Sequence, residues 1–164
     1  LMSLRGTPFI YQGEELGLPE ADISFEQIQD PWGKTLWPEW KGRDGCRTPM
    51  PWSCEGMHAG FSESLDFHPW LPIPHDHLDR AVDIQEKDKN SVLNETRKFI
   101  QWRKETPVLQ NGAIEFLSTD NNKVLGFIRY NDNTKLRCLF NLSEKTQTYE
   151  GIELSKLEVR FDPL

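Results

Sequence analysis

The 164-residue chain has no long apolar run and no excess of basic residues. No apolar stretch approaches the roughly 20 residues that a membrane-spanning helix needs, so we expect no transmembrane segment. The 19 basic side chains are outnumbered by 26 acidic ones, which gives a net charge of −7. Nucleic-acid grooves and anionic membrane surfaces favour clustered Lys and Arg. We therefore expect neither nucleic acid nor membrane as a partner.

Cysteine and histidine are also scarce. Cys46, Cys54 and Cys138 form no Cys-x-x-Cys pair, so neither a disulfide framework nor that type of zinc site is expected. Pairing of Cys46 with Cys54 under oxidising conditions stays open. The His75–His77 cluster matches no strong metal motif, and no glycine-rich phosphate loop is present. We expect no metal, no cofactor and, from the unpaired thiols, a reducing, cytoplasmic location.

The chain begins with Leu1-Met2-Ser3-Leu4-Arg5, a pattern typical of the end of a helix. We therefore expect this chain to be a piece of a longer protein. The sequence also lacks the pattern of a signal peptide, which is a basic start followed by an apolar stretch and a cleavage site.

A short apolar run, Phe9-Ile10-Tyr11, follows a Gly6-Thr7-Pro8 break. Because it does not alternate and is bounded by Gly and Pro, it predicts a fully buried parallel strand. Binding and catalytic groups lie just past the C-terminal ends of such strands. Glu14 and Glu15 occupy that place, either as functional carboxylates or as acidic residues that favour a helix start.

The stretch from Pro19 to His77 is irregular, rich in proline and holds five of the six tryptophans. Long loops of this kind usually carry binding groups. Indole faces beside acids and arginines suit sugars, although each tryptophan alone could equally anchor the loop to a core. In this stretch Arg43 and Arg47 flank Asp44. They either bind a carboxylate or sugar hydroxyls, or form an internal Arg–Asp pair that only fixes the loop.

The remainder of the chain is regular. Apolar residues at helical spacing predict a helix over roughly Ser91 to Glu105, which Thr106-Pro107 ends. Alternating runs then predict three antiparallel strands, Ala113–Leu117, Val124–Tyr130 and Leu136–Leu142, joined by turns rich in Asn and Asp. A β-sandwich-like domain is therefore expected from Pro107 onward.

Two segments resemble a known family. Gly6–Gly17 (GTPFIYQGEELG) is similar to the eighth-strand segment of family 13 glycoside hydrolases, the α-amylase family. Gly42–Trp52 (GRDGCRTPMPW) resembles the GRDxxRTPMxW signature of its α-glucosidase and oligo-1,6-glucosidase branch. Shorter matches, which extend the resemblance over essentially the whole chain, are Asp30–Gly33, Trp37-Pro38, Trp70–Pro72 and Ser91–Asn94.

The resemblance implies an α/β plus all-β fold. Residues 1–106 would form the C-terminal end of a (β/α)8 TIM barrel, comprising its eighth strand, a long loop and the closing helix. Residues 107–164 would form a C-terminal antiparallel β domain of sandwich type, which we expect to be truncated. The expected structural partner is the missing N-terminal part of the barrel.

The resemblance also implies that the parent protein is a retaining α-glucosidase, which hydrolyses terminal α-glucosidic bonds of short oligosaccharides in carbohydrate metabolism. The catalytic Asp, Glu and Asp of this family lie upstream, so the chain holds no catalytic residue and alone should be inactive. An oligo-1,6-glucosidase or a trehalose-6-phosphate hydrolase is the nearest alternative. A non-catalytic sugar-binding or structural domain of the same fold is the alternative from another class.

The resemblance assigns substrate-binding roles to Arg43, Arg47 and Glu20. Arg43 matches the arginine that binds the glucose in the −1 subsite, paired there with an aspartate from outside this chain, and Glu20 would reach the +1 subsite. Supporting roles are implied for three acidic residues: Asp44, Glu14 and Glu15.

Overall fold

The computed structural model describes residues 1–150 and 152–154. Within that range the helices are α1 (Pro31–Thr35), α2 (His75–Leu78), α3 (Val82–Gln85), α4 (Val92–Glu105) and α5 (Pro107–Asn111). The strands are β1 (Ala113–Phe116), β2 (Val124–Tyr130), β3 (Lys135–Asn141), β4 (Gln147–Tyr149) and β5 (Ile152–Leu154). Short 3₁₀ turns cover Glu14–Leu16, Asp44–Cys46 and Met57–Gly60. No helix in the described part is long and apolar enough to cross a membrane.

The chain folds as two compact units. The loop unit is Phe9–Lys98, and the sheet unit comprises Leu1–Pro8 together with Phe99–Leu164, of which the described part ends at Leu154.

The loop unit is irregular and packs on a small apolar core. Ala21, Ile23, Ile28 and Leu71 are buried there, and Trp37 packs against them. Few of its residues lie in helices because proline repeatedly removes the N–H that a continuing helix needs. The loop unit is therefore held together by side chains that bond to distant backbone groups, and not by long regular elements.

Two buried polar side chains fix the later part of the loop unit to its beginning. The His77 Nε2 lies 2.9 Å from the Pro19 carbonyl oxygen, to which its N–H donates. Gln85 donates from Nε2 to the Leu16 carbonyl at 2.9 Å, and its Oε1 accepts from the Leu93 N–H. Buried polar groups are stable only when bonded in this way. The pair therefore holds α2, α3 and the start of α4 against residues 16–19.

The buried strand expected at Phe9–Tyr11 is not formed. These residues belong to no strand, and Phe9 is 82% exposed. A parallel strand exists only beside hydrogen-bonded neighbours and is buried only between covering layers. Every strand among the described residues lies at or beyond Ala113 and pairs within its own sheet. The prediction is thus wrong for the chain as described, because the apolar run has no neighbouring strand with which to form backbone hydrogen bonds.

The regular elements follow the sequence pattern closely. Helix α4 begins at Val92, one residue after Ser91, whose Oγ accepts the Asn94 N–H at 3.2 Å as a helix cap. β1, β2 and β3 form an antiparallel meander, and β4 pairs with β5 in a separate two-stranded sheet. The helix and the meander are confirmed, whereas the sandwich stays a prediction. The sequence from Ser155 onward lies outside the described residues.

Two arginines hold the first residues of the chain within the sheet unit. Arg129 of β2 is fully buried and donates to the carbonyl oxygens of Ser3 at 2.6 Å and Gly112 at 2.9 Å. Arg103 of α4 donates to the Gly6 carbonyl at 2.7 Å. Burial, with a further contribution from the Arg103 charge, lowers the pKa of Arg129. The guanidinium of Arg129 is thus stabilised by hydrogen bonds to carbonyl oxygens and not by a carboxylate among the described residues.

Candidate functional site

Two segments singled out by the resemblance pack directly on each other. These are Asp30–Gly33, which begins α1, and Lys41–Gly45. A Cβ on Gly33 would lie 2.5 Å from the Lys41 carbonyl oxygen. Gly42 has φ +80°, and a Cβ there would lie 3.0 Å from the Gly33 Cα. Only glycines permit so close an approach of two backbones, which explains why both segments need them.

A buried carboxylate joins the two segments. Asp30 caps α1 by accepting the Trp32 N–H at 3.0 Å. Its other oxygen accepts the backbone N–H of Arg43 at 3.1 Å and the Arg43 Nε at 2.9 Å. The side-chain hydrogen bond from Arg43, together with the two backbone bonds, outweighs burial and lowers the pKa of Asp30 from 3.8 to about 2. The same bond raises the pKa of Arg43.

Asp44 is not the partner of Arg43, and its expected supporting role stays a prediction. It is fully buried, and its Oδ2 accepts the backbone N–H groups of Gln29 at 2.6 Å and Asp30 at 2.8 Å. The internal Arg–Asp pair therefore exists, but the partner of Arg43 is Asp30 and not Asp44. The reason is that Asp44 begins a 3₁₀ turn and its buried side chain is directed at the backbone N–H groups of Gln29 and Asp30.

A cavity of about 450 Å³ opens beside this pair. Of the residues that the sequence suggested, Arg43, Glu20 and Glu14 line it. The Arg43 side chain is 54% exposed, and its two Nη atoms donate to no described residue. The carboxylate of Glu20 is likewise exposed and makes no described hydrogen bond. Both side chains thus present unused hydrogen-bonding groups at one cavity.

The other suggested residues lie outside the lining of this cavity: Arg47, Asp44 and Glu15. Glu15 accepts the Gly13 N–H at 2.8 Å, and Glu14 accepts the Tyr11 N–H at 3.2 Å. Each therefore orders the turn at residues 11–15, part of which lines the cavity. A direct role for Arg47 in binding stays a prediction.

Sequence reasoning assigned no role to Asp30 or Cys46. An Asp before a Pro at the first helical position is a cap signal, so the cap was detectable, but the bond to Arg43 was not. Cys46 is exposed, lines the cavity and donates from Sγ to the Arg43 carbonyl at 3.0 Å. No sequence signal placed that thiol beside the arginine.

The arrangement brings hydrogen-bond donors and an acceptor together at one cavity. A guanidinium held through Nε presents its remaining donors in a fixed plane, and a nearby carboxylate accepts hydroxyl protons. Within residues 1–150 and 152–154, no group of three His, Cys, Asp or Glu side chains is placed to hold a metal ion. The substrate that these groups bind stays a prediction.

Comparison with known families and proteins agrees with this chemistry. The family described as alpha amylase, catalytic domain, matches residues 1–112. A probable alpha-glucosidase from Rhizobium meliloti (strain 1021) is 50% identical over 159 residues, which are 96% of this chain and 28% of that protein. An oligo-1,6-glucosidase from Halalkalibacterium halodurans is 34% identical over 154 residues, 83% of this chain and 27% of that protein. The chain thus spans just over a quarter of the length of these relatives.

Two solved structures are also similar to this chain. The alpha-glucosyl transfer enzyme XgtA superimposes with a TM-score of 0.83 at 48% identity, covering 90% of this chain and 26% of that one. Isomaltulose synthase PalI from Klebsiella sp. LX3 superimposes with a TM-score of 0.78 at 28% identity, covering 89% of this chain and 29% of that one.

Proposed function

Because the chain belongs to the α-amylase family, we propose that the whole protein is a retaining α-glucosidase acting on terminal α-glucosidic bonds of short oligosaccharides. In this proposal residues 1–106 complete a (β/α)8 barrel and residues 107–164 belong to a C-terminal β domain. The catalytic aspartate, glutamate and second aspartate lie upstream, and this chain supplies substrate-binding groups. The observation that carries the proposal is the Asp30–Arg43 pair, which leaves both Arg43 Nη atoms available at a cavity that Glu20 also lines.

The proposed task of Arg43 is to hold the terminal glucose while the upstream carboxylates react. A retaining glycosidase needs two carboxyl groups about 5 to 5.5 Å apart, one attacking the anomeric carbon and the other protonating the leaving oxygen. Both depend on a sugar that is held in one orientation. A guanidinium fixed by a buried carboxylate provides that orientation, because its planar donors cannot turn away from the cavity without losing the bond to Asp30.

Transfer of the glucosyl unit to another sugar is the second candidate activity. It is favoured by the 48% identity to an alpha-glucosyl transfer enzyme. The two reactions share the covalent glucosyl–enzyme intermediate and differ only in whether water or a sugar hydroxyl attacks it. The narrower choices of an oligo-1,6-glucosidase or a trehalose-6-phosphate hydrolase remain alternatives within the hydrolase proposal.

The proposal is tested with the whole protein on p-nitrophenyl α-glucoside, maltose, isomaltose and trehalose 6-phosphate. We expect nitrophenol release and, by proton NMR of the first product, glucose in the α configuration. Longer oligosaccharides accumulating at high substrate concentration would identify transfer. No turnover of any of these substrates, or release of β-glucose, would contradict the proposal. The 164-residue chain alone should release no nitrophenol, since it lacks the three carboxylates.

A further inference from the structure

The carboxylate of Glu20 reaches the Arg43 cavity without a hydrogen bond of its own. Glu20 is exposed and lines the cavity, and its side chain bonds to no other residue in the described part of the chain. A functional side chain without such support is placed only by the backbone that carries it. The position of this carboxylate therefore depends on how residues 19–21 are held.

Hydrogen bonds hold this segment on both sides of Glu20. After it, the Ala21 N–H donates to the Gly45 carbonyl at 3.0 Å. The Glu20 side chain also packs there, since a Cβ on Gly45 would lie 2.6 Å from the Glu20 Cγ. Before it, the Pro19 carbonyl accepts the His77 Nε2 at 2.9 Å. His77 is thus the side chain that fixes the segment from the other side.

His77 is itself held at both ring nitrogens. The imidazole is 1% exposed and lines the cavity. Because a carbonyl can only accept, Nε2 carries a proton, and in the neutral ring Nδ1 accepts the Thr48 hydroxyl at 3.4 Å. The Thr48 carbonyl in turn accepts the Gln12 Nε2 at 3.2 Å. One buried ring therefore joins three segments of the cavity wall, at residues 12, 19–20 and 48.

We propose that His77 is a positioning residue for the reaction, and that its bond to the Pro19 carbonyl holds the Glu20 carboxylate at the cavity in which Arg43 binds the sugar. The inference rests on the proposed function and adds to it a residue that acts through Glu20. Both ring nitrogens are already engaged by the protein, so His77 acts neither as a sugar ligand nor as a proton donor.

Substitutions at position 77 of the whole protein separate the two bonds of the ring. His77→Gln places an amide N–H near the position of Nε2 and keeps the bond to Pro19, whereas His77→Asn reaches only Thr48. His77→Leu loses both bonds. On p-nitrophenyl α-glucoside, kcat/KM should fall about ten- to a hundredfold in His77→Leu and His77→Asn, and less than about threefold in His77→Gln. Equal losses in His77→Asn and His77→Gln would overturn the inference.

Gln85→Leu is the matched control for packing. Gln85 also donates from a buried side chain to a carbonyl oxygen, that of Leu16, but it does not line the cavity. This variant should lower Tm about as much as His77→Leu, yet kcat/KM measured below both melting transitions should stay within about twofold of wild type. A loss of activity as large as that of His77→Leu would mean that His77 only stabilises the fold.

A double-mutant cycle with Glu20→Gln tests whether His77 acts through Glu20. If it does, His77→Asn should cause little further loss of kcat/KM in the Glu20→Gln enzyme, because the carboxylate that it misplaces is already gone. Losses that multiply independently would overturn the inference.

Hydrogen–deuterium exchange tests the positioning without turnover. The peptide that contains Glu20 and Ala21 should exchange faster in His77→Asn than in wild type, and at the wild-type rate in His77→Gln. That result supports the anchoring of Glu20 by His77 even if the hydrolase proposal fails. Unchanged exchange in His77→Asn refutes it.

Discussion

Replacing Arg43 by lysine separates substrate binding from loop stabilisation. Arginine has three side-chain nitrogens, of which Nε is bonded to Asp30 at 2.9 Å. The two Nη atoms are left for a ligand in the cavity. Lysine keeps the positive charge but has one nitrogen, which can either pair with Asp30 or reach the ligand. Arg43→Lys should therefore retain the pair within the loop and lose the bond to the sugar.

The expected losses of activity and of stability in Arg43→Lys follow from this separation of the bond to Asp30 from the bond to the sugar. Loss of a charged hydrogen bond to the substrate lowers kcat/KM by roughly ten- to a hundredfold. The fold should change little, because the backbone N–H of Arg43 still donates to Asp30 at 3.1 Å. We expect a Tm within about 2 °C of wild type, the shift that a small change in stability produces. The assay is kcat/KM on p-nitrophenyl α-glucoside with a thermal melt of the same preparation.

Arg97→Lys is the matched control. The Arg97 side chain is 52% exposed and forms an ion pair with Glu86 at 2.8 Å, and Arg97 does not line the cavity. This variant should be fully active. Normal turnover by a correctly folded Arg43→Lys enzyme would mean that Arg43 only stabilises the loop, and the site assignment would be wrong.

Three further variants test the packing that supports the site. The pKa of Asp30 is lowered from 3.8 to about 2, so its stabilising effect is complete above about pH 4 and disappears as the pH falls toward 2. The difference in Tm between wild type and Asp30→Asn should therefore be largest near pH 6 and shrink as the pH falls through about 2; a constant difference would refute this. In Gly45→Ala the new Cβ would lie 2.6 Å from the Ala21 carbonyl oxygen, and the free energy of unfolding measured in urea should fall by about 1–3 kcal/mol. Arg129→Met leaves the Ser3 and Gly112 carbonyls without their donor and should cost about 2–5 kcal/mol in the same assay. A urea midpoint equal to that of wild type in Gly45→Ala or in Arg129→Met would contradict the contacts described for that residue.

The regular parts of the fold could be predicted because their signals are local. Apolar spacing placed α4, and Ser91 was correctly expected at its start. Alternation placed β2 at Val124–Tyr130 without error and β3 to within one residue at each end. The turns rich in Asn and Asp between these strands fixed the order of the meander.

The site could be predicted only in part, because its contacts join distant points of an irregular path. Asp30 and Arg43 are 13 residues apart, and no periodic pattern connects them. The resemblance suggested Arg43 and gave it a partner outside this chain, and the residues alone left open an internal pair with Asp44. The structure pairs it with Asp30 because Gly33 and Gly42 bring the two backbones together. The Phe9–Tyr11 prediction failed for a related reason, since a parallel strand depends on neighbours that its own residues do not specify.

The most direct test is a crystal structure of the whole protein with glucose bound. We predict that an Nη atom of Arg43 lies 2.7–3.2 Å from a hydroxyl oxygen of that glucose, while its Nε remains bonded to Asp30. Glucose bound elsewhere, or bound in this cavity with both Nη atoms of Arg43 directed into solvent, would contradict the assignment.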